Sequence, residues 1–260
     1  MTATSVATAW YVYGVVPARV DPALFAATPG VDVGRVALVT SGGLAAIVSA
    51  VSLDDFDEEA LRRNLEVPAW LEEKARAHDR VLGGAVGTAP LVPLRFGTVY
   101  RDEAGVRRML EERRDELVSS LERLQGRIEL GVKAFLEEAE ASRDDSGSAS
   151  TGREYLMRKQ QARRSAADTS AIVRERTRLV HERLASISDD ARANPPQPFE
   201  LSRRRETMLL NGAYLVPVES QARFAKAFEA LRQEVGENGI ELVLTGPWPP
   251  YNFVEQRDLP

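Results

Sequence analysis

No cysteine occurs among the 260 residues, which rules out disulfides, thiolate nucleophiles and thiolate metal sites. Histidine is nearly as scarce. His78 and His181 are followed by Asp79 and Glu182, and neither has a second histidine at metal-ligand spacing. Both are expected on solvated helix faces. Gly-Lys-Ser and Gly-Lys-Thr are absent too. Gly83-Gly84-Ala85-Val86-Gly87-Thr88 has a predicted helix before it and a strand after it, the reverse of a dinucleotide loop. Long apolar runs are also missing: Leu44–Leu53 is interrupted by Ser49 and Ser52 and is too short for a bilayer. Met1–Ala9 carries no basic residue and does not read as a secretory signal. These absences make a soluble, cytoplasmic chain the expectation, with no cofactor, no metal and no membrane partner.

A hydrophobic content of 43% and a charged content of 28% fit a globular protein, and the length allows two compact domains. The net charge of −5 is unevenly placed. Met1–Ala60 holds seven acids and two bases, whereas Arg153–Ser186 holds nine bases and four acids. An acidic front and a basic helix can attract one another between copies or recruit different partners.

The pattern predicts α+β architecture in two domains, 1–126 and 127–260. In the first, Trp10–Val16 reads as a strand, and Val33–Thr40 and Leu44–Val51 as a hairpin turning at Ser41-Gly42-Gly43. Helices follow to about Leu82, with Pro68 opening a new first turn. A strand is expected over Leu91–Tyr100 and one helix over 105–124, striped by Val106, Met109, Leu110, Leu117, Leu121 and Leu124 with Arg113 the only interruption. In the second, Ile128, Leu130, Val132 and Ala134 alternate with polar residues as a half-buried strand. A small polar segment at 141–152 and a long basic helix over 153–188 come next. Strands at Thr207–Pro217 and Ile240–Thr245 flank a helix at Ser220–Gly236. This β-α-β-α-β order is compatible with a ferredoxin-like arrangement.

Three stretches stand out chemically. Leu244-Thr245-Gly246-Pro247-Trp248-Pro249-Pro250-Tyr251-Asn252-Phe253 places three prolines within four positions, so no ordinary central strand or helix runs through it. It is either a rigid turn whose Trp248 packs over its own domain or an aromatic anchor displayed to a partner, with Tyr251 and Phe253 beside it. Arg95 interrupts the apolar run Leu91–Gly97, either as a structural ion pair or, with Phe96 and Thr98, as the lining of a groove. The basic helix carries Arg158, Lys159 and Arg163 among its cations. It also has a narrow seam, of the kind that pairs with another helix, in which Val173, Val180 and Ile187 fall seven apart, Ile172 and Leu179 likewise, with Leu184 one turn on. The acidic whole chain and the single aromatic of that helix argue against nucleic acid.

That C-terminal decapeptide resembles the signature of the gas vesicle protein F/L family. Tyr11-Val12-Tyr13-Gly14-Val15-Val16, Pro93-Leu94-Arg95-Phe96-Gly97-Thr98-Val99 and Gly152-Arg153-Glu154-Tyr155-Leu156-Met157-Arg158-Lys159 resemble it in the same order, spanning nearly the whole chain. The resemblance implies a non-enzymatic gas vesicle assembly protein that binds the hydrophobic shell-forming subunit and meets other accessory proteins. It leaves open whether the chain is a transient chaperone or stays in the vesicle. A small ferredoxin-like enzyme or cofactor-binding protein is the alternative. That reading needs a convergent polar pocket, and the sequence offers only scattered acids, arginines and two unpaired histidines.

Overall fold

The computed structural model describes residues 7–32, 34–137, 170–197, 204 and 206–254. The chain divides into two compact units, Met1–Glu129 with Pro247–Pro260, and Leu130–Gly246. The expected boundary at 126/127 left the terminal turn with the second half. Instead the turn belongs to the first unit, because Phe253 is fully buried there.

The first unit is built on a sheet of β1 (Thr8–Pro17), β2 (Val36–Ser41), β3 (Leu44–Ser52), β4 (Val92–Pro93) and β5 (Val99–Tyr100). Its order is β2-β3-β1-β4, with β5 also paired to β1, and the β2–β3, β3–β1, β1–β4 and β1–β5 pairings are antiparallel. β1 is central and apolar enough to be buried on both faces. The register of β1 on β3 shifts between Val12 and Gly14, a bulge that changes which side chains share a face. Val16, rather than Val15, therefore joins Tyr11 and Tyr13 in one cluster with Ile47 and with Ala77, Val81 and Leu82. Gly14 is required by close approach: a Cβ there would lie 2.8 Å from the Val92 carbonyl oxygen.

Helices α1 (Ala23–Ala26), α2 (Leu53–Phe56), α3 (Glu58–Asn64) and α4 (Pro68–Gly83) follow the chain between these strands. Ser52 caps α2 through Asp54 N–H, Asp57 caps α3 through Ala60 N–H, and Pro68 opens α4. The helix expected over 105–124 is two, α5 (Glu103–Glu112) and α6 (Arg114–Leu124). The predicted stripe is buried as expected, but the backbone leaves helical geometry at Arg113 (φ −102°, ψ 15°). The Arg113 guanidinium pairs with Glu116 at 2.6 Å. α5 packs on β1, β2 and β3, and α6 on β1 and β4.

The second unit holds a four-stranded sheet in the order β7-β8-β6-β9. Its strands are β6 (Arg127–Leu136), β7 (Asp190–Asn194), β8 (Thr207–Pro217) and β9 (Ile240–Trp248), of which β6 and β9 run across the boundary between units. β7 was not expected. With α7 (residues 170–185) and α8 (Gln221–Gly236), the element order becomes β-α-β-β-α-β rather than β-α-β-α-β. β9 runs three residues beyond its expected end. Pro247 is tolerated because β9 lies at a sheet edge, where a missing donor faces no neighbour.

The seam of α7 does not wait for an outside helix. Val173, Thr177, Val180 and Leu184 are buried, Arg176 and Arg183 both reach Glu234 on α8, and His181 Nδ1 bonds the Tyr214 hydroxyl at 2.9 Å. His181 is thus half-buried rather than solvated. The expected helical residues 153–169, with Arg158, Lys159 and Arg163, and the polar segment 141–152 lie outside the described residues.

Candidate functional site

The stretch expected as one strand over 91–100 is a pair of two-residue strands separated by a turn. Leu94 N–H donates to Tyr13 O and Val12 N–H to Thr98 O, so both ends stay tied to β1. Between them the Arg95 carbonyl accepts from the Thr98 amide and from Thr98 Oγ1 (2.8 Å), and Gly97 adopts φ 84°. That left-handed geometry is what Gly supplies cheaply. The turn lifts Arg95 into solvent and leaves Phe96, Gly97 and Thr98 half-buried.

Facing this turn are α2 and α3, and between the two walls runs a groove of about 950 Å³ within the first unit. Its apolar lining includes Phe56, Leu61, Phe96 and Val99, and its charged lining residues are Asp57 and Glu58 at the start of α3 and Arg95 and Arg101 on the 95–101 segment. Arg95, Phe96 and Thr98 therefore do line a groove together. A smaller cavity of about 290 Å³ in the second unit is lined by Arg174, Arg178, His181 and Leu210, among others.

His78 corrects the expectation of a solvated face. It is 2% exposed, enclosed by the rings of Tyr11, Tyr13, Phe96 and Tyr251 at 5.5–6.3 Å between centroids. Gly97 N–H donates to the Tyr11 oxygen at 3.1 Å, and the Tyr11 hydroxyl and His78 Nδ1 share a hydrogen bond of 2.8 Å. The other ring nitrogen, Nε2, is buried without a hydrogen-bond partner among the described residues. Burial pushes the His78 pKa down to about 4 and raises that of the Tyr11 phenol, so both groups stay neutral.

The terminal aromatic turn contributes Tyr251 to that ring cluster. Tyr251 stacks on His78 (24° between planes), and its hydroxyl donates to Asp79 Oδ1 at 2.8 Å. Asn252 gives two bonds to the Glu129 carboxylate, from its amide (3.0 Å) and from Nδ2 (2.6 Å). Glu129 is 4% exposed, so this pairing meets the demand of a buried charge. Arg123 donates to the Phe253 carbonyl, and the Phe253 ring is fully buried. Of the three aromatics expected to meet a partner, Phe253 is core, Tyr251 is half-buried and internally bonded, and Trp248 is 42% exposed. Sequence reasoning missed Tyr11, His78, Asp79 and Glu129. The available signal was the helical spacing of Ala77, His78, Val81 and Leu82, which puts His78 on the buried face of α4.

Among the described residues no group of three or more His, Cys, Asp or Glu is placed to hold a metal ion, and no helix is long and apolar enough to cross a membrane. What the fold defines is an α+β protein of two units, each with its own sheet, carrying a charged-rim groove and an aromatic terminal clasp on the first. The model of the gas vesicle synthesis protein GvpL/GvpF family matches residues 9–255, and the chain belongs to that family. It is 40% identical to gas vesicle protein L of Streptomyces sp. (strain CB03234), over 83% of this chain and 82% of that protein. To gas vesicle protein F of the same strain it is 27% identical, over 85% and 88%. The crystal structure of the gas vesicle protein GvpF from Anabaena sp. PCC7120 has a similar fold, with a TM-score of 0.66 at 23% identity, covering 96% of this chain and 98% of that one.

Proposed function

We propose that the chain is a non-enzymatic gas vesicle assembly protein that binds the hydrophobic shell-forming subunit, together with other accessory proteins, in the cytoplasm and at the growing vesicle. The observation that carries this reading is the 40% identity to a gas vesicle protein L over more than four fifths of both chains, which also favours an L-type over an F-type role. Physical chemistry supports the choice of partner. A subunit with an apolar face aggregates in water unless a soluble protein covers that face first. The first unit offers a groove with an apolar floor and, on the terminal turn, an exposed Trp248.

The contact residues in this reading are Arg95, Phe96 and Thr98 at the groove, with Trp248 as a separate anchor. Tyr251 and Phe253 support that anchor from within. For the second unit we infer the ferredoxin-like arrangement, supported by its β-α-β-β-α-β order and its β7-β8-β6-β9 sheet.

Co-expression with the shell-forming subunit tests the reading. The chain is expected to keep that subunit soluble and to co-purify with it at a defined ratio. A folded chain beside a subunit that aggregates as it does alone overturns direct binding.

A further inference from the structure

The groove of the first unit has features that narrow what it can accept. Its floor is hydrocarbon: Phe56 is buried beneath it, and Leu61, Phe96 and Val99 are half-buried along it. Its charged lining residues are of opposite sign on two separate chain segments. Asp57 and Glu58 open α3, with the Asp57 carboxylate fixed by its bond to Ala60 N–H at 2.6 Å, while Arg95 and Arg101 lie on the 95–101 segment.

Strand addition does not suit this edge. The Arg95 carbonyl is already taken twice by Thr98, and the turn at Gly97 breaks the row of backbone donors and acceptors that a strand would need. Side chains, not backbone, must make the contact. The Phe96–Gly97 wall is also held in place from behind, since Gly97 N–H is anchored on Tyr11, which is anchored on buried His78. A wall fixed before binding loses little entropy on binding.

We propose that this groove receives the apolar face of a short amphipathic segment of a partner protein, with a cation of that segment at Asp57–Glu58 and a carboxylate at Arg95–Arg101. The inference rests on the assembly reading and specifies where and how the shell-forming subunit is gripped. Apolar side chains fill the floor. The two rims select the segment, because a segment whose ends share one sign is repelled by one wall. Tyr11 and His78 are positioning residues, acting through the turn without touching the partner.

The test uses the full chain and three labelled twelve-residue probes with the same leucine face: one with lysine at one end and glutamate at the other, one with lysine at both ends, and one with glutamate at both. Fluorescence anisotropy at low salt is expected to rank the mixed-end peptide about tenfold tighter than either other. In the double variant Arg95→Glu/Arg101→Glu, with its thermal unfolding unchanged, the lysine-ended peptide is expected to become the tightest. Equal binding of the three by the wild type, or an unchanged ranking in the variant, overturns the proposal. Co-expression of the same variant separates this from the assembly reading. Loss of shell-subunit solubilisation by the variant supports the groove. Full solubilisation by wild type and variant alike overturns the groove and leaves the assembly reading intact. Failure of the wild type itself overturns the assembly reading, and the peptide ranking then judges the groove alone.

Discussion

The two stretches that most resemble a family signature, Pro93–Val99 and Pro247–Phe253, occupy opposite roles in the same unit. In the first, Arg95 stands in solvent and Phe96 and Thr98 line an open groove. In the second, Tyr251, Asn252 and Phe253 direct their polar and apolar groups inward, to Asp79, to Glu129 and into the core. Distinctive residues therefore carry two meanings. One stretch presents a surface and the other closes the unit on itself, with Trp248 the one aromatic of the turn left substantially exposed.

Substitutions break this contrast in graded fashion. Phe253→Ala empties a fully buried site and is expected to cost about 3–5 kcal/mol in urea unfolding, the largest effect here. Lowering the pH comes next. The neutral, buried His78 binds its proton less readily than in the unfolded chain, so its stabilisation is complete above pH about 6.5 and drains as pH falls towards 4. The loss amounts to about 3 kcal/mol. His78→Gln is expected to flatten the stability–pH curve over that window, whatever its cost at neutral pH. Asn252→Ala removes one donor from the buried Glu129 carboxylate and is expected to cost about 2 kcal/mol, read as a lower urea midpoint. The smallest effects belong to the open surface. Arg95→Ala and Trp248→Ala are each expected to change stability by less than about 1 kcal/mol while reducing co-purification of the shell-forming subunit. A Trp248→Ala variant that binds like wild type removes that ring from the contact surface.

Much of the fold was legible because local pattern and burial agree. The apolar run of β1, the glycine turn before β3 and the continuous strand Thr207–Pro217 each announce themselves within ten or so residues. The misreadings arise where distant partners decide. Asp190-Ala191-Arg192-Ala193-Asn194 alternates only alanine with polar residues and holds no β-branched or large apolar side chain, and it is a strand because it pairs residue by residue with β8. The apolar text of 91–100 looked continuous, yet Pro93, Gly97 and the Thr98–Arg95 bond cut it into two short strands. Arg113 sits on a good helical stripe but marks a break between two helices.

The site was half legible for the same reason. Arg95, Phe96 and Thr98 could be suspected from a charge inside an apolar run. The clasp could not, since Tyr251 finds Asp79 and Asn252 finds Glu129 across 172 and 123 residues of chain. His78 lay within reach of sequence reasoning, but its charged neighbour Asp79 outweighed the helical spacing that buries it.

Amide hydrogen exchange on the full chain, with and without the shell-forming subunit, tests the contrast most directly. The account predicts that Asn252 and Phe253 exchange slowly in both conditions, while residues 95–101 gain protection when the subunit is added. Fast exchange at 252–253 in the free chain, or protection gained there and not at 95–101, would contradict it.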